Sequence, residues 1–142
     1  MATFLLKTEP GEFSWDDLVR AGESRWDGVS NPTALAALRR VQRGDEAWIY
    51  HTGSEKSIVG LARVARGAYE DPQQPGLNDA GAIRRPVIDL KAWREVPRRL
   101  TLADIKSDPR FKDFALVRQG RLSVMEVPPT LDQALRALCG LS

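Results

Sequence analysis

One stretch of the sequence decides the fold: residues 46–69 read EAWIYHTGSEKSIVGLARVARGAY. Residues 46–51 and 57–69 are two runs rich in apolar, aromatic and β-branched side chains, and the short polar segment TGSEK separates them. A connection of this length between two such runs is typical of a β-hairpin. The sequence therefore predicts two antiparallel strands at the centre of the chain.

Three further strand-like runs surround this hairpin. We expect strands over residues 3–6, 83–96 and 121–127, where apolar and β-branched residues follow strand spacing. Residues 70–81 hold two prolines, two glycines and three acids, a composition that predicts a long mobile loop. The segment around Trp26 lacks an apolar period, so we interpret it as a loop as well.

Capping residues and apolar spacing predict four short helices. The first predicted helix begins after Ser14 and ends at Gly22, and the second begins after Asn31 and ends near Val41. The third is a short helix that begins after Thr101. The fourth runs over Leu131, Leu135 and Leu138 and ends at Gly140. Mixed strands with helices at their ends indicate an α+β fold. We expect a small curved β-barrel of mixed strands with flanking short helices, because a barrel closes its own edges.

The composition fits a single domain over residues 1–142, with 42% hydrophobic and 28% charged residues. Cys139 is the only cysteine, so an intrachain disulfide is excluded, and we place this residue in the core. No run of about 20 apolar residues occurs, which excludes a membrane span. No apolar leader follows a basic stretch, so we expect a cytoplasmic location.

The net charge indicates little about binding partners, whereas the excess of arginine over lysine is more informative. A formal charge of +2 is too mild to indicate nucleic-acid binding by itself. Arginine nevertheless outnumbers lysine heavily. Since the planar guanidinium matches phosphate and base edges better than an ammonium does, nucleic acid becomes a more plausible partner.

The usual catalytic and metal-binding motifs are absent from the sequence. One histidine, His51, and one distant cysteine do not make a zinc site, and we predict no metal. Neither G-x-G-x-x-G nor a P-loop occurs, so no nucleotide cofactor is predicted. No nucleophile-elbow or cysteine-protease signature surrounds His51. These absences favour a binding module over an enzyme.

Polar and aromatic residues at turns are the remaining functional candidates. Trp26 either presents its ring to a flat ligand or folds over the core, and its spacing favours neither interpretation. Residues 50–52, Tyr-His-Thr, indicate a polar strand end, although a lone histidine is more often structural. Residues 118–121, Arg-Gln-Gly-Arg, suit a phosphate, although the residues by themselves slightly favour a solvated turn.

Several of these segments together resemble the EVE domain family, in order and in spacing. The matching segments are LKTEP at residues 6–10, WDGVSNP at 26–32, GD at 44–45 with YHT at 50–52, IVGLA at 58–62 and LVRQGRLSV at 116–124. The family has a PUA-like fold that is related to ASCH and YTH domains. The resemblance implies a nucleic-acid-binding domain that recognises a modified base, in particular modified cytosine in DNA.

The resemblance also implies which residues form the site. The positions that match the pocket-forming segments of the family, with one serine nearby, are Thr8, Trp26, Asn31, Tyr50, His51 and Ser123. The candidates for phosphate contacts are Lys7, Arg118, Gln119 and Arg121. Ser30 stands where many members carry arginine, which removes one potential contact to the nucleic acid.

Two alternative functions are compatible with the same residues. An RNA-binding PUA-like module would use the same basic side chains and add a contact to the 2′-hydroxyl. A small nucleotide-processing enzyme would use His51 as a general base, but the sequence offers it no clear nucleophile and no metal.

Overall fold

The computed structural model describes residues 1–141 and contains one mixed sheet. Its strands are β1 (Thr3–Thr8), β2 (Glu23–Trp26), β3 (Glu46–His51), β4 (Ser57–Glu70), β5 (Pro86–Thr101) and β6 (Val124–Glu126). The six strands lie in the order β2-β5-β4-β3-β1-β6. Only β1 and β3 pair in parallel, and the other neighbours are antiparallel.

The central hairpin is present as the sequence predicts. In β3 and β4, Glu46 lies opposite Arg63 and His51 lies opposite Ser57. β1 extends the sheet on the other side of β3, with Thr8 opposite His51. Because β1 and β3 run in parallel, their carboxyl ends meet at the same edge of the sheet.

The α+β class is confirmed, whereas the closed barrel is not. β2 pairs with β5 and β6 pairs with β1, and no ladder joins β2 to β6 within residues 1–141. These two end strands have only four and three residues, so each offers few backbone groups for pairing. Barrel closure therefore stays a prediction.

The helices are α1 (Trp15–Ala21), α2 (Pro32–Arg39), α3 (Leu102–Ser107), α4 (Ala115–Arg118) and α5 (Pro129–Cys139). The predicted caps are present. Ser14 Oγ accepts the backbone N–H of Asp17, and the Asp17 carboxylate accepts the Ser14 N–H in return. Helix α4 and a 3₁₀ turn at Pro109–Phe111 were not predicted, because neither presents a full apolar period.

The structure corrects three of the predicted boundaries. Trp26 ends strand β2, opposite Ile88 of β5, instead of lying in a loop. The long strand predicted over residues 83–96 lies at Pro86–Thr101, and the last strand, predicted over 121–127, is Val124–Glu126. β2 reads Glu-Ser-Arg-Trp, in which only Trp26 has high strand propensity, so its pairing with β5 determines its conformation.

Helix α1 packs over the central hairpin through one tryptophan. The side chain of Trp15 is 2% exposed, and a Cβ added to Gly60 of β4 would lie 2.5 Å from its ring. Glycine at position 60 is thus a packing requirement of the IVGLA segment. Cys139 is buried on α5, as predicted, and burial raises the pKa of its thiol to about 11.

The loop after β4 has its own hydrogen bonds. Asn78 Oδ1 accepts the backbone N–H groups of Ala80 and Ala82. Arg39 of α2 donates through Nε to the carbonyl of Ile83 at 2.7 Å, which joins the loop to the helix. The mobility that the sequence predicts for residues 70–81 stays a prediction.

Candidate nucleic-acid interface

A cavity of about 500 Å³ opens where β1 ends, between the turn that follows β1 and the end of β2. It is lined by Lys7, Thr8, Glu9, Glu12, Phe13, Ser24, Arg25, Trp26, Asp27, Gly28, Val29 and Ser123. Four residues that the sequence analysis singled out are brought together here: Lys7, Thr8, Trp26 and Ser123. The volume falls within the range of small-molecule sites, which is about 300–1,000 Å³.

Two aromatic rings form one wall of this cavity. The rings of Phe13 and Trp26 meet edge to face, with centroids 6.1 Å apart and planes at 78°. Trp26 is only 7% exposed, so most of its ring packs in the core while the rest lines the cavity. Thr8 Oγ1 donates to the Phe13 carbonyl at 2.6 Å, which holds the turn that carries Phe13.

Lys7 lines the cavity and contacts the Arg-Gln-Gly-Arg turn through a hydrogen bond. Its Nζ donates to the Gly120 carbonyl at 2.8 Å, and its backbone N–H donates to the Ser123 carbonyl at 2.9 Å. Partial burial lowers the pKa of the Lys7 ammonium. Lys7 therefore holds the turn in place, and its ammonium already has a protein acceptor.

Charges of both signs surround the cavity. Two basic side chains, Lys7 and Arg25, face three acidic ones, Glu9, Glu12 and Asp27. Carboxylates accept hydrogen bonds from the exocyclic amino group of cytosine, whereas they repel phosphate. The lining thus suits the edge of an amino-bearing base better than a phosphate group.

A smaller cavity of about 250 Å³ lies against the Arg-Gln-Gly-Arg turn. Its lining includes Asn31, Thr33, Gln119 and Arg121. Asn31 Oδ1 caps α2 by accepting hydrogen bonds from the backbone N–H groups of Thr33 and Ala34. Asn31 lines this second cavity and does not line the larger one. Arg118 lies exposed at the end of α4.

His51 and Tyr50 do not line the larger cavity. His51 is 4% exposed, its Nε2 accepts the backbone N–H of Trp15 at 3.0 Å, and its Nδ1 lies 2.9 Å from Glu55 Oε2. Because Nε2 accepts, the ring proton is on Nδ1 and points to Glu55. Tyr50 is 3% exposed, burial raises the pKa of its phenol, and its ring lies 5.7 Å from Lys7 Nζ. Both residues lie on β3, opposite Lys7 and Thr8 of β1.

Most of the cavity wall was not predicted from the sequence. Phe13, Glu9 and Glu12 lie in the turn after β1, and Arg25 and Asp27 flank Trp26. The turn signal at residues 9–11 shows that the chain reverses there, but not that Phe13 meets Trp26. Alternation along Glu-Ser-Arg-Trp is the one signal that would have placed Ser24 and Trp26 on a common face.

Two structural features do not occur among the residues that the structure describes: a metal-ligand cluster and a membrane-spanning helix. Within residues 1–141, no group of three or more His, Cys, Asp or Glu side chains is arranged to hold a metal ion. Among the same residues, every helix is too short or too polar to cross a bilayer.

Known proteins share this architecture. The chain is 31% identical to human thymocyte nuclear protein 1 over 149 residues, which covers 85% of this chain and 66% of that protein, just under two thirds of its length. The NMR structure of Rpa0253 from Rhodopseudomonas palustris has a TM-score of 0.88 at 36% identity, covering 99% of this chain and 94% of that one.

A second solved structure is that of a complex with DNA. It is human THYN1 in complex with 5-methylcytosine-containing DNA, with a TM-score of 0.86, 25% identity, and 98% of both chains covered. At the level of the family, the EVE domain matches residues 2–138, which is nearly the whole chain. This chain therefore belongs to the EVE domain family.

Proposed function

We propose that this chain is a reader domain that binds DNA and holds one modified cytosine in the 500 Å³ cavity. The observation that supports this most directly is the similarity to human THYN1 in complex with 5-methylcytosine-containing DNA. The cavity adds independent support, because it combines an aromatic wall with carboxylates that suit the cytosine amino group. A base that enters it must leave the duplex stack.

The energetics require both stacking and polar contacts. Flipping a base costs a few kcal/mol, and stacking on an aromatic ring returns about 1–3 kcal/mol. Burial of a methyl group contributes about 0.8 kcal/mol, which corresponds to roughly a fourfold preference over unmodified cytosine. We assign stacking to Phe13 and Trp26, and hydrogen bonds to the base edge to Thr8, Ser123 and the carboxylates.

We assign the DNA backbone to the second cavity. Gln119 and Arg121 line it together with the cap residue Asn31, and Arg118 is exposed on the same turn. Lys7 holds this turn against β1 by its bond to Gly120, so a phosphate bound there would lie close to the base cavity. In this assignment Lys7, His51 and Tyr50 position other groups and do not contact the base.

We also propose that the chain is a binding module and not an enzyme. The enzymatic alternative needs His51 as a general base, but both of its ring nitrogens are occupied by Trp15 and Glu55. Two sequence-based predictions accompany the proposal: a barrel-like curvature of the sheet and a cytoplasmic location. Register shifts along β4 and β5 support the curvature, because bulges bend strands.

The decisive experiment compares duplexes that differ only in one cytosine. We expect 5-methylcytosine to bind at least about fourfold more tightly than cytosine, from the methyl contact alone. Arg121→Ala should weaken binding to both duplexes equally and reduce the slope of log K against log salt by about 0.9 for one lost phosphate contact. Arg110→Ala, at an exposed arginine on the 3₁₀ turn, is the charge-matched control.

Two outcomes would contradict the proposal. Equal binding of both duplexes that disappears in high salt would reduce the protein to a nonspecific DNA binder. If structured RNA displaced the methylated duplex at a lower competitor concentration than unlabelled methylated duplex does, the RNA-binding alternative would be favoured, because a 2′-hydroxyl contact would then be part of the site.

A further inference from the structure

Outside both cavities, two arginine guanidiniums lie over aromatic rings at the solvent-exposed side of the sheet. The Arg63 guanidinium is 3.6 Å from the ring centre of Trp93, and the Arg66 guanidinium is 3.6 Å from that of Tyr69. Trp93 is 39% exposed, which is unusual for a residue of its size. A stacked guanidinium keeps the N–H groups at its edge free for an anion.

These residues form a continuous row that begins at the base cavity. Arg66 of β4 and Arg25 of β2 both lie opposite Asp89 of β5. Arg25 lines the 500 Å³ cavity, and its Nε donates to Tyr69 Oη at 3.2 Å. Farther along β5, Lys91 lies opposite Arg63. We call this set of basic and aromatic residues, from Arg25 to Trp93, the arginine row.

Two of the four basic side chains in the arginine row are uncompensated. Within residues 1–141, neither Arg63 nor Arg66 forms an ion pair, whereas Arg25 lies 3.8 Å from Asp71 and the Lys91 ammonium lies 3.9 Å from Glu23. Asp89, the acid within the row, accepts the Tyr69 hydroxyl at 2.6 Å. Unpaired guanidiniums next to an exposed indole match a strand that presents phosphates and base faces.

We propose that the arginine row is a second nucleic-acid contact, which binds the phosphates of the strand that continues from the base in the cavity; this rests on the proposed function. From Asp89 to Trp93 the row spans roughly 13 Å at about 3.3 Å per residue. That length equals about four nucleotides of B-form rise at 3.4 Å each. The row therefore binds flanking DNA and contributes affinity, while the cavity supplies base preference.

The test is the double variant Arg63→Gln/Arg66→Gln, which removes both charges but leaves a polar side chain over each ring. Binding is measured against salt on a long methylated duplex and on a short one that ends beside the modified cytosine. Losing two phosphate contacts should reduce the salt slope on the long duplex by about 1.8. The affinity loss of the unmutated protein between 50 and 200 mM salt should then be roughly twelvefold larger than that of the variant.

In the Arg63→Gln/Arg66→Gln variant, the affinity for the short duplex and the preference for 5-methylcytosine should not change. The control is Arg20→Gln/Arg110→Gln, which removes two exposed charges from α1 and the 3₁₀ turn, and it should keep the original slope. An unchanged slope in the Arg63/Arg66 variant would overturn the proposal. So would a change in base preference without a change in slope. Equal binding of methylated and unmethylated duplexes would refute the proposed reader function, while the slope comparison on either duplex would still decide the role of the row.

Discussion

Two regions at the same edge of the sheet both carry predicted site residues, but only one of them is open to a ligand. One is the end of β1 with Trp26, which forms an open cavity, and the other is the end of β3 with His51, which is closed. Helix α1 makes the difference, because Trp15 covers the hairpin next to His51 and its backbone N–H occupies Nε2. The polar end of β3 is therefore unavailable to a ligand, because packing from a distant helix covers it and occupies the His51 ring.

The largest expected effect is that of Trp26→Ala, which tests the residue that both core and cavity share. Because the ring is buried, its loss should cost about 3–5 kcal/mol of unfolding free energy. Loss of the aromatic wall should also weaken binding of the folded fraction by roughly fivefold to a hundredfold. Thermal melts and affinity measurements on the same preparation give both numbers.

Trp15→Ala is the matched control from the closed region. It should cost a similar amount of stability, yet its folded fraction should bind methylated DNA normally. If both variants lost only stability, Trp26 would belong to the core alone and the comparison of the two regions would fail.

Gly60→Ala should have the next largest effect and should act only on the closed region. The added Cβ would lie 2.5 Å from the Trp15 ring, and such overpacking costs about 1–3 kcal/mol. Denaturant unfolding measures this loss, and DNA affinity below the unfolding transition should not change. Gly120→Ala is the control for stability alone, because a Cβ at that position meets nothing within 4 Å, while Gly120 itself lines the second cavity.

Asn31→Ala should have a smaller effect, which separates the second cavity from the first. Loss of the α2 cap should cost about 1 kcal/mol of stability. Since Asn31 lies outside the larger cavity, the ratio of affinities for methylated and unmethylated DNA should stay constant. Asn31→Ser keeps a capping oxygen and should restore stability. A changed ratio would place Asn31 at the base edge instead.

The smallest expected effect concerns the acid stability of the closed region. Burial acts to raise the pKa of Glu55, but the hydrogen bond from His51 and the charge of Arg99 lower it overall from 4.5. A depressed carboxyl pKa stabilises the fold above the unfolded value and loses that contribution as pH falls through the folded one. Unfolding free energy should therefore decline below about pH 4.5.

Glu55→Gln should make this decline shallower, as measured by denaturant titrations at several pH values. Glu70→Gln, at an exposed position that ends β4, is the control and should leave the pH dependence in place. An identical acid profile for both variants would show that the His51–Glu55 pair does not couple protonation to folding.

Local signals predicted the hairpin, the caps at Ser14 and Thr101, and helix α5 well, because each depends on residues within a few positions of one another. The site was predicted less evenly. Lys7, Thr8, Trp26 and Ser123 do line the larger cavity, whereas Asn31, Gln119 and Arg121 line the smaller one. Strand β2 was missed because its pairing partner is about 60 residues away in the sequence.

By itself, the sequence determined the α+β class, the resemblance to the EVE family, and the polar and aromatic residues available for recognition, since these depend on composition, local spacing and motif order. Only the tertiary structure decided which of those residues face a cavity. It brought Phe13 to Trp26, gave both nitrogens of His51 a partner, and aligned Arg63 with Arg66 beside the site. The physical reason is that exposure depends on what packs on each side chain from distant segments, which local spacing does not specify.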